Sequence, residues 1–266
     1  GDITLGKLRT ASASDLNITS TGGAVIDGGD SPVDIDAPNS HVMILAQGGI
    51  GHGNTLETNV KSVELANSGN GAVALENAGP LTIKAISQSA SAGQVNIQTL
   101  NGAIDLTSGG ITAQAAAVSL YAGGQTNGGL TIQGDIKTAN GDLQLITDSG
   151  DVVLGAGLNV GNGADADIDI RAALGSIRLD PASVKWLRTD GTYNGVADDF
   201  DSDIDWAFLQ GKYTVNVDTG EIKVSGANDA DSIYYQPNEK ILREAGGIYL
   251  RAGGEVSLEA LQGIGS

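Results

Sequence analysis

The chain has 266 residues, of which 40 are glycine, with 4% aromatics, no cysteine and a formal net charge of −18. Glycine stands at about twice its average usage, and the aromatics are too few for an ordinary globular core. The acidic balance excludes a nucleic-acid surface and an anchor on anionic lipid, the missing thiols exclude disulfide staples and cysteine nucleophiles, and no run of about 18 apolar residues could insert in a membrane.

The first element is Gly1-Asp-Ile-Thr-Leu5, a glycine followed by two aliphatics at alternate positions. In an extended chain those aliphatics share one face and the residue between them points the other way. The same unit starts again at Gly71, Gly79, Gly93, Gly102, Gly128, Gly141, Gly150, Gly175, Gly220, Gly246 and Gly254. Versions without the glycine fill the gaps: Leu16-Asn-Ile18, Val33-Asp-Ile35, Val63-Glu-Leu65, Val118-Ser-Leu120 and Ile168-Asp-Ile170. Sustained helical periodicity is absent from the sequence, and short strands at this spacing suit a sandwich, a barrel or a solenoid. Asn101-Gly102 and Asn140-Gly141 keep a hairpin-built sandwich open. Near-identical units with so few aromatics favour a right-handed parallel β-helix, an all-β solenoid with about 20 to 30 residues per coil. Val, Ile and Leu should stack inside, with ladders of Thr, Asn, Asp and Gln outside. The leading glycines are expected to supply the positive φ of sharp corners.

The repeat fails between about Pro181 and Tyr213. The wider window from Val184 to Tyr235 holds eight of the ten aromatics, with ten acids and four bases. The expected organisation is therefore solenoid coils over 1–183, an inserted segment packing on their flank over 184–235, and resumed coils over 236–266. Within the window, Tyr213-Thr-Val-Asn-Val217 and Glu221-Ile-Lys-Val224 flank Asp218-Thr-Gly220 as a hairpin. The aromatics form either a local mini-core or an exposed platform for sugar or protein, with Trp186, Tyr193, Trp206, Tyr234 and Tyr235 as the candidate binding residues.

The same window carries the candidate metal ligands. In Asp198-Asp-Phe-Asp-Ser-Asp-Ile-Asp205, alternate residues Asp199, Asp201, Asp203 and Asp205 share one face of a strand, while Phe200, Ile204, Trp206 and Phe208 share the other. Such a row of like charges is either a solvated edge or is bridged by a cation, for which calcium is the candidate; no cofactor is required. An EF-hand is excluded, because Ile204 stands at its sixth position and Gln210 at its twelfth. Gly161-Asn-Gly-Ala-Asp-Ala-Asp-Ile-Asp169 departs from a calcium-binding nonapeptide and occurs once, so it reads as a turn. With only His41 and His52, a zinc cluster is not expected.

Gln47-Gly-Gly-Ile-Gly-His52, followed by Leu56-Glu-Thr-Asn-Val60 and Val63-Glu-Leu65, resembles a block of filamentous-haemagglutinin-like passengers of large exported bacterial adhesins. Glu76-Asn-Ala-Gly-Pro80, ahead of Leu81-Thr-Ile83, is similar to the N-x-G turn of the same passengers. The resemblance covers most of the chain outside 184–235, in style more than in strict motif. It implies a right-handed β-helix, export through an outer-membrane partner or autotransporter route to the cell surface, and adhesion to cells, glycans, proteins or biofilm matrix. Near the N-terminus the sequence departs from the family, with no NPNG-like secretion motif. Gln262-Gly-Ile-Gly-Ser266 reads as the opening of a further block, so the sequence is expected to be an interior fragment.

Parallel β-helices also carry polysaccharide lyases and hydrolases, and a carbohydrate-active enzyme is the alternative function. Gly51-His52-Gly53 and Asp198-Asp199 match elements of pectin-hydrolase-like sites, but in reversed order and without the accompanying Asn-Thr-Asp and Arg-Ile-Lys elements. Bases over 1–150 are scattered at Lys7, Arg9, Lys61, Lys84 and Lys137. The expectation is a non-catalytic structural or adhesive module.

Overall fold

A computed structural model describes residues 1–29, 33–89, 93–114, 116–126, 128–160, 166–180 and 256–264, with five short strand backbones between the last two blocks. These residues contain strands and turns and no helix.

The strands stack in parallel as a β-solenoid. One column rises through Val73–Asn77, Val95–Thr99, Val118–Ala122, Leu143–Thr147 and Ile168–Ala172, with Val73, Val95, Val118, Leu143 and Ile168 in register. Below it, Ile3–Leu5 pairs with Val25–Asp27, and Ile50 bridges Val25 to Val73. A second column runs through Ile104–Leu106, Leu130–Ile132, Val152–Leu154 and Ser176–Leu179, and a third through Ile111–Ala113, Ile136–Thr138 and Leu158–Asn159. Nearer the N-terminus these two columns merge into the long strands Ile35–Ala46, Leu56–Asn67 and Leu81–Gln88, with register shifts between Ala37 and His41 and between Val63 and Glu64. One coil takes 22 residues from Val73 to Val95, 23 from Val95 to Val118 and 25 from Val118 to Leu143. Hairpin pairing at Asn101-Gly102 and Asn140-Gly141 does not occur; both dipeptides sit at corners between parallel strands.

The next step differs: Ile168 pairs with Val256, 88 residues on. A coil-sized segment cannot fill that long interval; the parallel stacking last seen at Ser176–Leu179 is next seen at Leu250–Arg251. Within it, Tyr213–Asn216 and Glu221–Val224 pair antiparallel, the arrangement expected from the sequence; Glu221–Val224 pairs with Ile233–Gln236 in the same sense. Residues 181–212 lie outside the described residues, and so does the expected packing of 184–235 on the solenoid flank.

The core is the aliphatic stack that the alternation implies. Val73, Leu75, Val95, Ile97, Ile104, Leu106, Leu143, Leu145 and Ile177 are buried, while Asn96 and Asp105 between them are exposed. The side chain of Leu179 lies outside the described residues. Apolar burial at about 25 cal/mol per Å² drives the stacking, and each coil finds its partner surface only in its neighbours.

Two expectations are corrected. Among the described residues, the unit-leading glycines do not serve positive φ; that backbone state falls at Gly29, Gly49, Gly51, Gly53, Gly110 and Gly124. Three of those lie in the Gly-Gly-Ile-Gly-His-Gly loop that delivers Ile50 to the core. Most of the described leading glycines, though not Gly1 or Gly79, instead mark places where coils touch backbone to backbone. A Cβ on Gly150 would lie 2.6 Å from the Gly129 Cα, and one on Gly71 would overlap the Gly48 carbonyl. Gly93, Gly102, Gly141 and Gly175 are constrained in the same way.

The polar residues are also not all outside. Asn67, Asn77, Gln88, Thr99, Thr138 and Thr147 are buried. Thr99 donates to the Gly102 carbonyl at 2.5 Å, Thr138 to that of Gly141 at 2.5 Å, and Thr147 to that of Gly150 at 2.7 Å. Asn77 accepts from the Val60 N–H at 2.9 Å and donates to the Val60, Gly79 and Pro80 carbonyls. At a corner the backbone leaves the ladder and its polar groups lose their strand partners. A short inward polar side chain supplies replacements, because an unpaired buried polar group costs about 1–3 kcal/mol.

Candidate functional site

The side chains gathered by the fold into one chemically unusual place are Asp27, Asp34 and Glu57. Asp27 ends the strand Val25–Asp27, Asp34 precedes Ile35–Ala46, and Glu57 lies in Leu56–Asn67. The Ile35↔Thr58 register sets Asp34 directly beside Glu57 on the next coil. The backbone closes that contact from both sides: the Asp34 N–H donates to the Glu57 carbonyl at 2.8 Å, and the Glu57 N–H donates to Asp34 Oδ2 at 3.0 Å. Asp27 joins from the far end of the 28–33 connection of the same coil. Its Oδ1 accepts the Gly29 N–H at 2.6 Å and its Oδ2 accepts from Asn54 Nδ2.

One carboxylate oxygen from each of the three residues lies within 4.8 Å of the others. Asp34 is fully buried, and Asp27 and Glu57 are half-buried above it. Asp34 Oδ1 and Glu57 Oε2 are buried with no hydrogen-bond partner, and none of the three acids is in an ion pair among the described residues. Burial first, then the nearby Asp27 carboxyl, pushes the Asp34 carboxyl up to about 7, although the Glu57 N–H pulls the other way. Three ionised carboxylates here are all acceptors; the cluster needs a proton or a cation between them.

The raised Asp34 carboxyl gives a pH dependence of defined sign. Folded Asp34 holds its proton up to about pH 7, whereas the unfolded chain releases it in the ordinary carboxylate range. The folded state therefore binds more protons across that window, and stability falls as pH rises through it, levelling off above. In chelator-treated buffer the melting temperature should drop between about pH 5 and pH 8. Asp34→Asn should remove a part of that drop worth on the order of 2 kcal/mol. A tenfold change in proton affinity is worth about 1.4 kcal/mol, and water reaching the cluster past half-buried Asp27 and Glu57 screens part of the total. Parallel melting profiles of wild type and variant would contradict the assignment.

The sequence missed this cluster because Val33-Asp-Ile35 reads as a strand unit with Asp34 facing out. The strand instead begins at Ile35, and Asp34 turns inward at the corner with Val33 half-buried. The available signal was Asp34, one coil length before Glu57, with Asp27 seven residues ahead of it.

The residues singled out from the sequence are placed as follows. Asp199, Asp201, Asp203, Asp205, Trp186, Tyr193 and Trp206 lie outside the described residues. Tyr234 and Tyr235 are in the strand Ile233–Gln236, their backbones opposite Glu221 and Leu242. His52 is exposed, and its Nδ1 accepts the Ala72 N–H at 3.2 Å; no acid within ion-pair distance of it is found among the described residues. His41 lies 11 residues earlier, in Ile35–Ala46, with Nδ1 3.0 Å from Ser62 Oγ and Nε2 3.9 Å from Glu64. No helix among the described residues is long and apolar enough to cross a membrane. Comparison of the chain with protein-family models, with curated proteins and with solved structures yields no match. The fold and site together define the class: a parallel β-solenoid repeat module whose coils stack on one another.

Proposed function

We propose that this chain is a structural and adhesive module of an exported bacterial surface protein, an extended stalk that also offers contact surface to cells, glycans or matrix. One observation carries the reading: two outward positions of successive coils form polar columns. Asn96, Ser119, Gln144, Asp169 and Ser257 stand in register on one side, and Ser87, Thr112, Lys137 and Asn159 on another. Such a surface holds a fixed shape at low apolar exposure, which suits a spacer in water. The filamentous-haemagglutinin-like resemblance of the Gln47–His52 block supports export and adhesion. Any specific recognition belongs to the excursion between the coils, since insertions in solenoids collect on one face and this one holds both tryptophans.

A glycan array and immobilised matrix proteins, probed with wild type and with Trp186→Ala/Trp206→Ala, test the reading. Saturable binding that falls at least about tenfold in the variant supports an adhesive role. Release of reducing ends or unsaturated products from uronic-acid polymers, lost in His52→Ala, would replace it with the enzymatic alternative.

A further inference from the structure

We propose that Asp27, Asp34 and Glu57 form a calcium site that staples two successive coils near the N-terminal end of the solenoid. The inference is independent of adhesion. It starts from the two buried oxygens, Asp34 Oδ1 and Glu57 Oε2, that face the cluster without a donor. A buried carboxylate oxygen normally finds an N–H, an O–H or a cation, because leaving it bare costs more than any packing around it returns. Two donors among the described residues are already used on other atoms: the Glu57 N–H on Asp34 Oδ2 and the Gly29 N–H on Asp27 Oδ1.

The geometry suits a large divalent cation. For three oxygens at most 4.8 Å apart, some point lies within about 2.8 Å of all three. Calcium–oxygen distances are about 2.3–2.6 Å in a flexible shell of six to eight oxygens, whereas magnesium demands about 2.0–2.1 Å in a rigid octahedron. Small inward rotations of Asp27 and Glu57, both half-buried and open to solvent, close the difference for calcium. Their exposure also leaves room for waters to complete the shell. Asn54, already against Asp27, presents its Oδ1 on an amide flip. Among the described residues no basic group is in ion-pair contact with the three acids, so no ion pair there offsets their negative charge. The site joins Asp27 and Asp34 of one coil to Glu57 of the next, so occupancy would tie the two coils together.

The test uses the whole chain after chelator treatment. Calcium chloride is titrated by calorimetry and by thermal melting, with magnesium chloride at equal ionic strength as the control. The expected result is one calcium per chain with a dissociation constant of about 10⁻⁴–10⁻³ M, the range of extracellular modules, and a rise in melting temperature that magnesium does not reproduce. Asp34→Asn/Glu57→Gln keeps shape and removes charge. It should melt at or above the calcium-free wild type, which shows that it folds, and should lose at least about nine-tenths of the calcium-induced shift. Three results overturn the proposal: no response of the wild type to calcium, an equal response to magnesium, or a calcium shift that survives in this variant. A response that survives there but disappears in Asp201→Asn/Asp203→Asn would move calcium to the acidic run of the excursion.

Discussion

Ile104→Asp is expected to cost at least about 4 kcal/mol and to open the middle of the solenoid. Ile104 is fully buried, and its neighbours in register are Leu81 on one coil and Leu130 on the next. Removing the aliphatic side chain from a packed core costs about 2–5 kcal/mol by itself. An unpaired carboxylate there adds several more, or takes up a proton and meets part of the same cost in a raised pKa. Because each coil contacts only its neighbours, the damage should concentrate in the coils on either side of 104–106. Asp105→Ala, one residue away on the exposed face, should stay within about 0.5 kcal/mol of wild type. Chemical denaturation gives the two stabilities, and hydrogen exchange gives the location. If both variants unfold together with wild type, the inward and outward faces have been assigned wrongly.

Gly150→Ala is expected to destabilise by about 1–3 kcal/mol, a large effect for one methyl group. The added Cβ would meet Gly129 Cα and N at 2.6 Å, and both are backbone atoms that no rotamer change can move aside. The contact recurs one coil further on, where a Cβ on Gly175 would meet the Gly150 carbonyl. Relief requires the coils to part, which lengthens ladder hydrogen bonds on both sides. Gly79→Ala is the contrast. A Cβ there meets nothing within 4 Å and its φ is not positive, so the change should be neutral or stabilise by about 0.4–1 kcal/mol through the unfolded chain. Melting curves for the pair decide the matter. Equal destabilisation of both would mean that the glycines are needed for backbone freedom and not for close approach.

The inward faces were legible in the sequence. Alternation in a strand has period two, so Val95-Asn-Ile97 or Ile104-Asp-Leu106 names its buried residues without any knowledge of what stacks on it. Coil length was legible too, because a repeat that buries its face only against its own copies must return at a constant interval. Polar corner residues were not. Thr99, Thr138 and Thr147 fall on the inward phase of their strands, yet as polar residues they read as part of the outward ladders, and only the fold shows that each hydroxyl faces a glycine carbonyl three residues on.

What the sequence by itself determined is the class of architecture and the core: short strands, aliphatic pairs, parallel coils, and a break in composition where the repeat stops. These follow from local spacing, and local spacing is all that a period-two strand requires. Tertiary structure alone decided which residues meet across coils. Gly71 is needed because the Gly48 carbonyl lies above the place of its missing Cβ, and that depends on a register between positions 23 residues apart. Asp34 becomes a buried acid because the strand starts at Ile35 and not at Val33 as the Val33-Asp-Ile35 pattern suggests, leaving Asp34 at the corner with Glu57 of the next coil and Asp27 of its own coil against it. Each of these carboxylates alone is an ordinary surface acid; their chemistry comes from being placed within reach of one another where water cannot separate all of their charges.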